Sequence, residues 1–317
     1  MKPLLLITRP LPDPVVAAAH GHFQVTLRQE TSPLSAAELR AALRNYDAIL
    51  PTLGDRFDAG VFADVPNPRA RIIANFGVGY NHIDVNAAGA AGIAVSNTPG
   101  AVTDATADIA LMLILMTARR AGEGERLVRA NNWAGWHPTQ LLGTHVTGAT
   151  VGIIGMGRIG QAIARRCHHG FGMQVLFHNR SALADVGLPA KQVSLTQAMA
   201  ADFVVVAVPG GPATRHLINA TALAAMRPGG IFINISRGEV VDEAALIAAL
   251  AAGQIAGAGL DVYEFEPQVP PALMAMENIT LLPHLGTAAL NVRTDMGMMA
   301  VDNLIAFAEG RDPPNKV

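Results

Sequence analysis

The sequence predicts an α/β protein with two doubly wound parallel sheets, each in its own domain. Three observations predict it. Short apolar runs alternate with helix-like stretches over nearly all of the 317 residues, which is the pattern of βαβ units and so of parallel strands. The alternation occurs as two series, one before Pro99 and one from Thr150. The second series holds near-continuous apolar strands such as Val204-Val205-Val206-Ala207-Val208, as expected of a sheet covered on both faces. At roughly 150 residues per domain, the length also suits two domains.

In the first series the strands are Leu4–Ile7, Phe23–Leu27, Ala48–Leu50, Ile72–Asn75 and Ala94–Ser96, with helices near Pro14–His20 and Ser35–Leu43. Each strand is short and gives way to Gly, Pro, Asn or Thr. After the turn Asn97-Thr98-Pro99-Gly100, a long helical pattern runs from about Val102 to Ala121, with Thr103 or Asp104 as its cap. Trp133–Gly148 is irregular. The second series has strands Thr150–Ile154, Gln174–Phe177, Phe203–Val208, Gly230–Asn234, Gly257–Leu260 and Ile279–Leu282. Helices fall near Ile159–His168, Thr196–Met199, Thr221–Met226 and Asp242–Ala252. A last helix spans about Asn291–Glu309, and pattern alone leaves its packing partner open.

Half the residues are hydrophobic and only 15% are charged, against about a quarter in an average soluble protein. Real cores are therefore expected, and global disorder is excluded. A net charge of −2 argues against a general nucleic-acid binder. The longest apolar run, around Ile109–Met116, falls short of the roughly 20 residues that span a bilayer. The apolar stretch at Leu4–Ile7 stops at Thr8-Arg9-Pro10, which reads as a buried strand rather than a secretory leader. A single cysteine, Cys167, makes no internal disulfide and no cysteine-based metal cluster. A cytoplasmic protein without a metal site is expected.

The sharpest motif is Gly155-Met156-Gly157-Arg158-Ile159-Gly160, a G-x-G-x-x-G between a buried strand and an amphipathic helix. Gly155 permits the tight turn, Gly157 lets a pyrophosphate approach the backbone, and Gly160 lets helix and strand pack closely. The helix start adds free N–H groups and a positive dipole end. With the strand–helix alternation of both series, two Rossmann-like domains are expected. NAD sites usually place an acidic residue about 20 residues further on. Here the second strand ends in Asn179-Arg180-Ser181, with no Asp or Glu between Gly160 and Asp185. Arg180 suits a 2′-phosphate, Ser181 donates to it, and Asn179 bonds ribose or phosphate. NADP(H) is favoured on these grounds, with NAD(H) still open.

In open parallel sheets, ligands bind beyond the carboxyl ends of the strands. Arg237, Asp261, Glu266 and His284 lie at successive predicted strand ends and are candidates to converge. Alone, each has a plainer reading, and Glu264 with Glu266 could form a wet turn before Pro267.

The chain resembles the D-isomer-specific 2-hydroxyacid dehydrogenase family in six segments, in order. They are Asn75–Asp84, Asn97–Asp108, the glycine motif, Ile235-Ser236-Arg237-Gly238, Gly259–Tyr263 and Pro283-His284-Leu285-Gly286. The stretch Trp133–Thr139 is similar to the glyoxylate/hydroxypyruvate reductase branch. The resemblance implies a substrate-binding (catalytic) domain from 1–99 plus 285–317, a dinucleotide-binding domain from 100–284, and an interdomain cleft. It implies a homodimer with the Val102–Ala121 helix and the following segment in the interface. It also implies the set Arg237, Glu266 and His284, with Val78 and Gly79 amides on the substrate carboxylate. Cofactor contacts carried over the same way are Thr106, Val208, Pro209, Thr214, Ile235, Ser236, Asp261 and Gly286. Ala289 departs from the Thr that many members carry, without removing a reactive group.

The expected reaction reduces a small 2-oxo acid, glyoxylate or hydroxypyruvate, to the D-2-hydroxy acid by hydride transfer from NAD(P)H. His284 donates a proton to the carbonyl oxygen, Glu266 fixes the imidazole and favours its charged form, and Arg237 holds the carboxylate and polarises the carbonyl. Leu53, Phe76 and Trp136 are candidate pocket walls, and Trp133 and Trp136 read equally as core or interface packing. A larger 2-oxo acid such as 2-ketogluconate, and a dinucleotide-sensing binding protein, remain as alternatives.

Overall fold

The computed structural model describes residues 2–317 and divides into two compact units, Met1–Val102 with Thr287–Val317, and Thr103–Gly286. The first unit contains β1 (Leu4–Ile7), α1 (Asp13–His22), β2 (Gln24–Leu27), α2 (Ala36–Asn45), β3 (Ala48–Leu50), α3 (Ala59–Ala63), β4 (Ile72–Ala74), α4 (Val85–Ala90) and β5 (Ala94–Ser96). Its strands form one parallel sheet in the order β2-β1-β3-β4-β5. Register is set by apolar pairs such as Leu5 opposite Ala48 and Ile73 opposite Val95. A capping box on Ser35 and Glu38 starts α2, supplying two of the N–H partners that a helix start lacks.

The second unit contains α5 (Thr103–Ala118), α6 (Ala121–Arg129), β6 (Thr150–Ile154), α7 (Arg158–Arg165), β7 (Gln174–His178), β8 (Ala190–Gln192), α8 (Leu195–Met199), β9 (Phe203–Val206), α9 (Ala220–Ala224), β10 (Ile231–Asn234), α10 (Glu243–Ala251), β11 (Gly257–Leu260), α11 (Pro271–Ala275) and β12 (Ile279–Leu281). Its parallel sheet has the order β12-β11-β10-β9-β6-β7-β8. The order reverses at β6 beside β9, the switch point where such sheets leave a crevice. Apolar side chains cover both faces: Val151, Ile153 and Val205 lie in one core cluster, Ile154, Val204 and Val206 in the other. The two doubly wound parallel sheets are those the sequence predicts.

Several boundaries differ from the sequence reading. The long helix near Val102–Ala121 is α5, which ends at Ala118, and a further helix, α6, starts at Ala121. Arg120 takes a left-handed backbone (φ 52°), and Thr144 N–H donates to the Ala118 carbonyl, ending α5. Nothing in the apolar period marks that break. Thr103 is already helical, so neither it nor Asp104 flanks α5; Asp104 and Asp108 instead pair with Arg166 at 3.0 and 2.8 Å. The predicted strand over Phe203–Val208 stops at Val206. The predicted helix at Ile159–His168 ends at Arg165 and continues as a π-helical turn over Arg166–Gly170.

The last helix, α12 (Leu290–Ala308), returns to the first unit and packs on α1 and β4. Ala300, Val301 and Leu304 share a core with Leu5, Ile7 and Val15. Among the described residues, no helix is long and apolar enough to cross a membrane.

Candidate active site

In the second unit the functional candidates sit in the loops that leave β6, β7, β9, β10, β11 and β12, at the carboxyl ends of one parallel sheet. At the glycine turn, Gly155 has φ of 100° and donates its N–H to the His178 carbonyl at 2.9 Å. A Cβ on Gly155 would lie 2.8 Å from the Ala207 carbonyl, and one on Gly160 would lie 2.0 Å from the Gly155 carbonyl. Both positions therefore require glycine. A Cβ on Gly157 would meet nothing within 4 Å. This is the open ground before α7 that a pyrophosphate needs, with Arg158 and Ile159 opening the helix. The residues present fit a dinucleotide.

The turn is braced by the residue read as a ribose or phosphate ligand. Asn179 Oδ1 accepts the Met156 N–H at 3.3 Å, and its Nδ2 donates to the Ser181 carbonyl at 3.0 Å. Its amide thus makes one bond at each end within the protein, which leaves a second Nδ2 hydrogen and a second Oδ1 lone pair. Arg180 and Ser181 are exposed beside it. Sequence reasoning missed Gln192, on the edge strand β8. Its Nε2 donates to the Asn179 and Ser181 carbonyls at 3.2 and 3.0 Å, and its Oε1 accepts the Leu183 N–H at 3.0 Å. The polar triplet Ala190-Lys191-Gln192 carries no apolar strand signal.

Beyond β9 and β10 the hydroxyls close loops. Ser236 Oγ donates to the Val208 carbonyl, and Thr214 Oγ1 donates to the Pro209 carbonyl at 2.6 Å. Ile235 and Ser236 are each only 6% exposed. Thr106, buried at the start of α5, donates to the Gly286 carbonyl at 3.2 Å.

Glu266 and His284 are brought together, and the Arg237 guanidinium acts on Glu266 through its charge. His284 Nδ1 lies 2.9 Å from Glu266 Oε2, with both side chains about one-third exposed, at 31% and 29%. Glu266 Oε1 accepts the Tyr263 N–H at 3.0 Å. Burial pushes the Glu266 carboxyl up, but the His284 hydrogen bond and charge, the Tyr263 N–H and the Arg237 guanidinium hold it below the usual carboxylate range. Burial depresses the Arg237 guanidinium, opposed by Glu266 and Glu239. One of its end nitrogens donates to the Ser236 carbonyl at 2.8 Å, and its buried Nε has no partner among the described residues. Gly238 sets this approach: a Cβ there would stand 1.8 Å from the Tyr263 carbonyl carbon.

Asp261 is 1% exposed, and both carboxylate oxygens are used, accepting from Leu285 N–H at 2.6 Å and Gly286 N–H at 2.8 Å. Its backbone carbonyl accepts the His284 N–H at 3.0 Å. Burial raises its carboxyl, against those N–H groups and the His284 charge. Asp261 thus moulds the loop that presents His284. The wet-turn reading of Glu264 with Glu266 is corrected: the Glu264 side chain is 7% exposed and bonds Arg215 at 3.0 Å and His216 at 2.7 Å.

In the first unit, Gly77-Val78-Gly79 follows β4 as a turn whose carbonyls are all tied down. Asn75 Nδ2 donates to the Gly77 and Gly79 carbonyls, each at 3.0 Å, and Asn97 Nδ2 donates to the Val78 carbonyl at 2.9 Å. Phe76 is half-buried and Leu53 is 38% exposed. Trp133 and Trp136, at 53% and 78% exposed, are not core residues of this chain.

The arrangement defines a class, an α/β protein that takes a nicotinamide dinucleotide at the carboxyl ends of its strands. Residues 111–286 match the family described as D-isomer specific 2-hydroxyacid dehydrogenase, NAD binding domain. The chain is 43% identical over 324 residues to a glyoxylate reductase of Thermococcus onnurineus, covering 100% of this chain and 96% of that one. The crystal structure of a Thermus thermophilus protein superposes with a TM-score of 0.91 at 40% identity, covering 99% of both chains. That of an NADPH-dependent glyoxylate/hydroxypyruvate reductase from Sinorhizobium meliloti, in complex with NADP and malonate, gives 0.88 at 37% identity, covering 100% of this chain and 97% of that one. The chain belongs to the D-isomer specific 2-hydroxyacid dehydrogenases, on the glyoxylate reductase branch.

Proposed function

We propose that this enzyme reduces glyoxylate or hydroxypyruvate to the D-2-hydroxy acid, with NADP(H) preferred over NAD(H). The carrying observation is the His284–Glu266 pair with Arg237 beside it. The nicotinamide cofactor supplies a hydride when bound. As negative charge develops on the substrate's carbonyl oxygen, His284 gives it a proton from Nε2, because Nδ1 faces Glu266. Glu266 holds the ring in that orientation and compensates the imidazolium charge. Arg237, whose charge already acts on Glu266, polarises the carbonyl and holds the carboxylate. The Val78 and Gly79 N–H groups are further donors for the carboxylate.

In this reading residues 1–99 with 285–317 form the substrate-binding domain and 100–284 the dinucleotide-binding domain. Gly155 to Ile159 receive the pyrophosphate, Asn179, Arg180 and Ser181 the ribose and its 2′-phosphate, and Thr106, Val208, Pro209, Thr214, Ile235, Ser236, Asp261 and Gly286 line the rest of the cofactor site. The enzyme is a cytoplasmic homodimer and binds no nucleic acid, consistent with a net charge of −2. Recovery outside the cytoplasmic fraction overturns the location, and retention on immobilised DNA overturns the lack of nucleic-acid binding.

The test is the loss of reduced-nicotinamide absorbance with each 2-oxo acid, using NADPH and NADH in parallel. Turnover led by NADPH is expected. Turnover led by NADH overturns the cofactor preference, and turnover of only larger 2-oxo acids overturns the substrate. Dinucleotide binding without any turnover leaves a sensor.

A further inference from the structure

The geometry points to Asn75 and Asn97 as positioning residues that hold the Val78–Gly79 turn as an anion-binding nest. The inference rests on the reading of those two amides as the carboxylate site. A peptide unit fixes its N–H opposite its C=O, so whatever anchors the carbonyls of a turn also aims its amides. Here three consecutive carbonyls are anchored by two buried side-chain amides. Asn75, 1% exposed, donates to the Gly77 and Gly79 carbonyls from one nitrogen, and Asn97, 8% exposed, donates to the Val78 carbonyl between them. The Thr98 N–H gives the Gly77 carbonyl a second donor at 3.1 Å. With their carbonyl sides tied inward, the Val78 and Gly79 N–H groups are left for an anion, the concave backbone arrangement that binds carboxylates.

The amides are themselves fixed. Asn75 Oδ1 lies 3.1 Å from His82 Nε2. With two carbonyls on one side and an imidazole nitrogen on the other, only one orientation of the Asn75 amide places donors on acceptors, and it requires the proton on His82 Nε2. Asn97 is held through its backbone. Its carbonyl accepts from Asn303 Nδ2 of α12 at 3.2 Å, and Asn303 Oδ1 accepts the Asn315 N–H at 2.9 Å. Asn303 is fully buried. The nest is thus preorganised, so little ordering remains when an anion arrives.

A carboxylate keeps its charge throughout the reduction of a neighbouring carbonyl. A nest that binds it strengthens ground state and transition state alike, and its loss raises KM while leaving kcat nearly unchanged. The test uses the full-length enzyme with Asn75→Asp and Asn97→Asp, which keep shape but replace the donor by an acceptor. For each, KM and kcat for glyoxylate, the inhibition constant of oxamate and the affinity for NADPH are measured. KM and the oxamate constant are expected to rise together by about tenfold, the effect of one misplaced hydrogen bond to a charged group, with kcat and NADPH affinity nearly unchanged.

Where Asn75→Asp does not accumulate, Asn97→Ala, which removes a single donor, carries the same comparison. Folded variants that match the unaltered enzyme in KM and oxamate inhibition overturn the inference. A fall in kcat alone also overturns it. An unaltered enzyme that neither reduces glyoxylate nor binds oxamate with NADPH present overturns the underlying reading instead.

Discussion

His284 occupies a left-handed backbone, φ 54°, that a non-glycine residue adopts only where its surroundings impose it. Asp261 imposes it, bonding the His284 N–H through its carbonyl and the next two N–H groups through its carboxylate. The imidazole is therefore aimed from behind as well as by Glu266. His284→Ala is expected to lower glyoxylate turnover by about a hundredfold or more, the usual contribution of a general acid, with NADPH affinity unchanged. Near-normal turnover would remove His284 as the acid.

The depressed Glu266 carboxyl has a consequence for stability. Its folded value lies below its ordinary value, so its stabilising contribution is complete above the ordinary carboxylate range and is lost as pH falls through the folded value. The melting temperatures of the unaltered enzyme and Glu266→Gln should differ most near neutrality and converge in acid. A constant difference between neutral and strongly acidic solution would show that Glu266 is not depressed. The convergence of Arg237, Glu266 and His284 was legible as residues at strand ends. The work of Asp261 was not, because a buried carboxylate bonding the loop after its own strand has no spacing signature.

At the scale of elements, the central strands were legible because they are apolar along their whole length, as in Phe203–Val206. Elements stabilised by other means were not. The edge strand β8 is polar, α6 has no buried residue, and α3 and α11 have five residues each. β8 bears on the proposed cofactor site, because Gln192 reaches from it to the carbonyls of Asn179 and Ser181, on either side of Arg180. Arg180→Asp is expected to weaken NADPH about tenfold or more, through loss of a charge-assisted contact and gain of repulsion, and to leave NADH little affected. An unchanged NADPH-to-NADH ratio of kcat/KM would take Arg180 out of the 2′-phosphate site.

Over the whole molecule, four of the exposed large apolar side chains fall within residues 128–142: Val128 at 59%, Trp133 at 53%, Trp136 at 78% and Leu142 at 66%. The irregular chain there was legible, but single-sequence pattern does not say what would cover it. A second copy of the chain is the expected cover, since clustered apolar surface marks an interface. Sedimentation should give a dimer, and Trp136→Glu should shift it toward monomer. A monomeric unaltered protein at micromolar concentration would refute this.

The other whole-molecule feature is the return of the chain to its first unit. The core of β1, β3 and β4 is completed by α12, and Val317 N–H bonds the Val95 carbonyl of β5. During synthesis the first unit therefore stays unfinished until α12 leaves the ribosome, by which point the second unit already has all its own strands. Until α12 arrives, Leu5, Ile7, Val15 and Leu50 lack part of their covering, so a stalled or prematurely stopped chain would present that apolar face to chaperones and proteases.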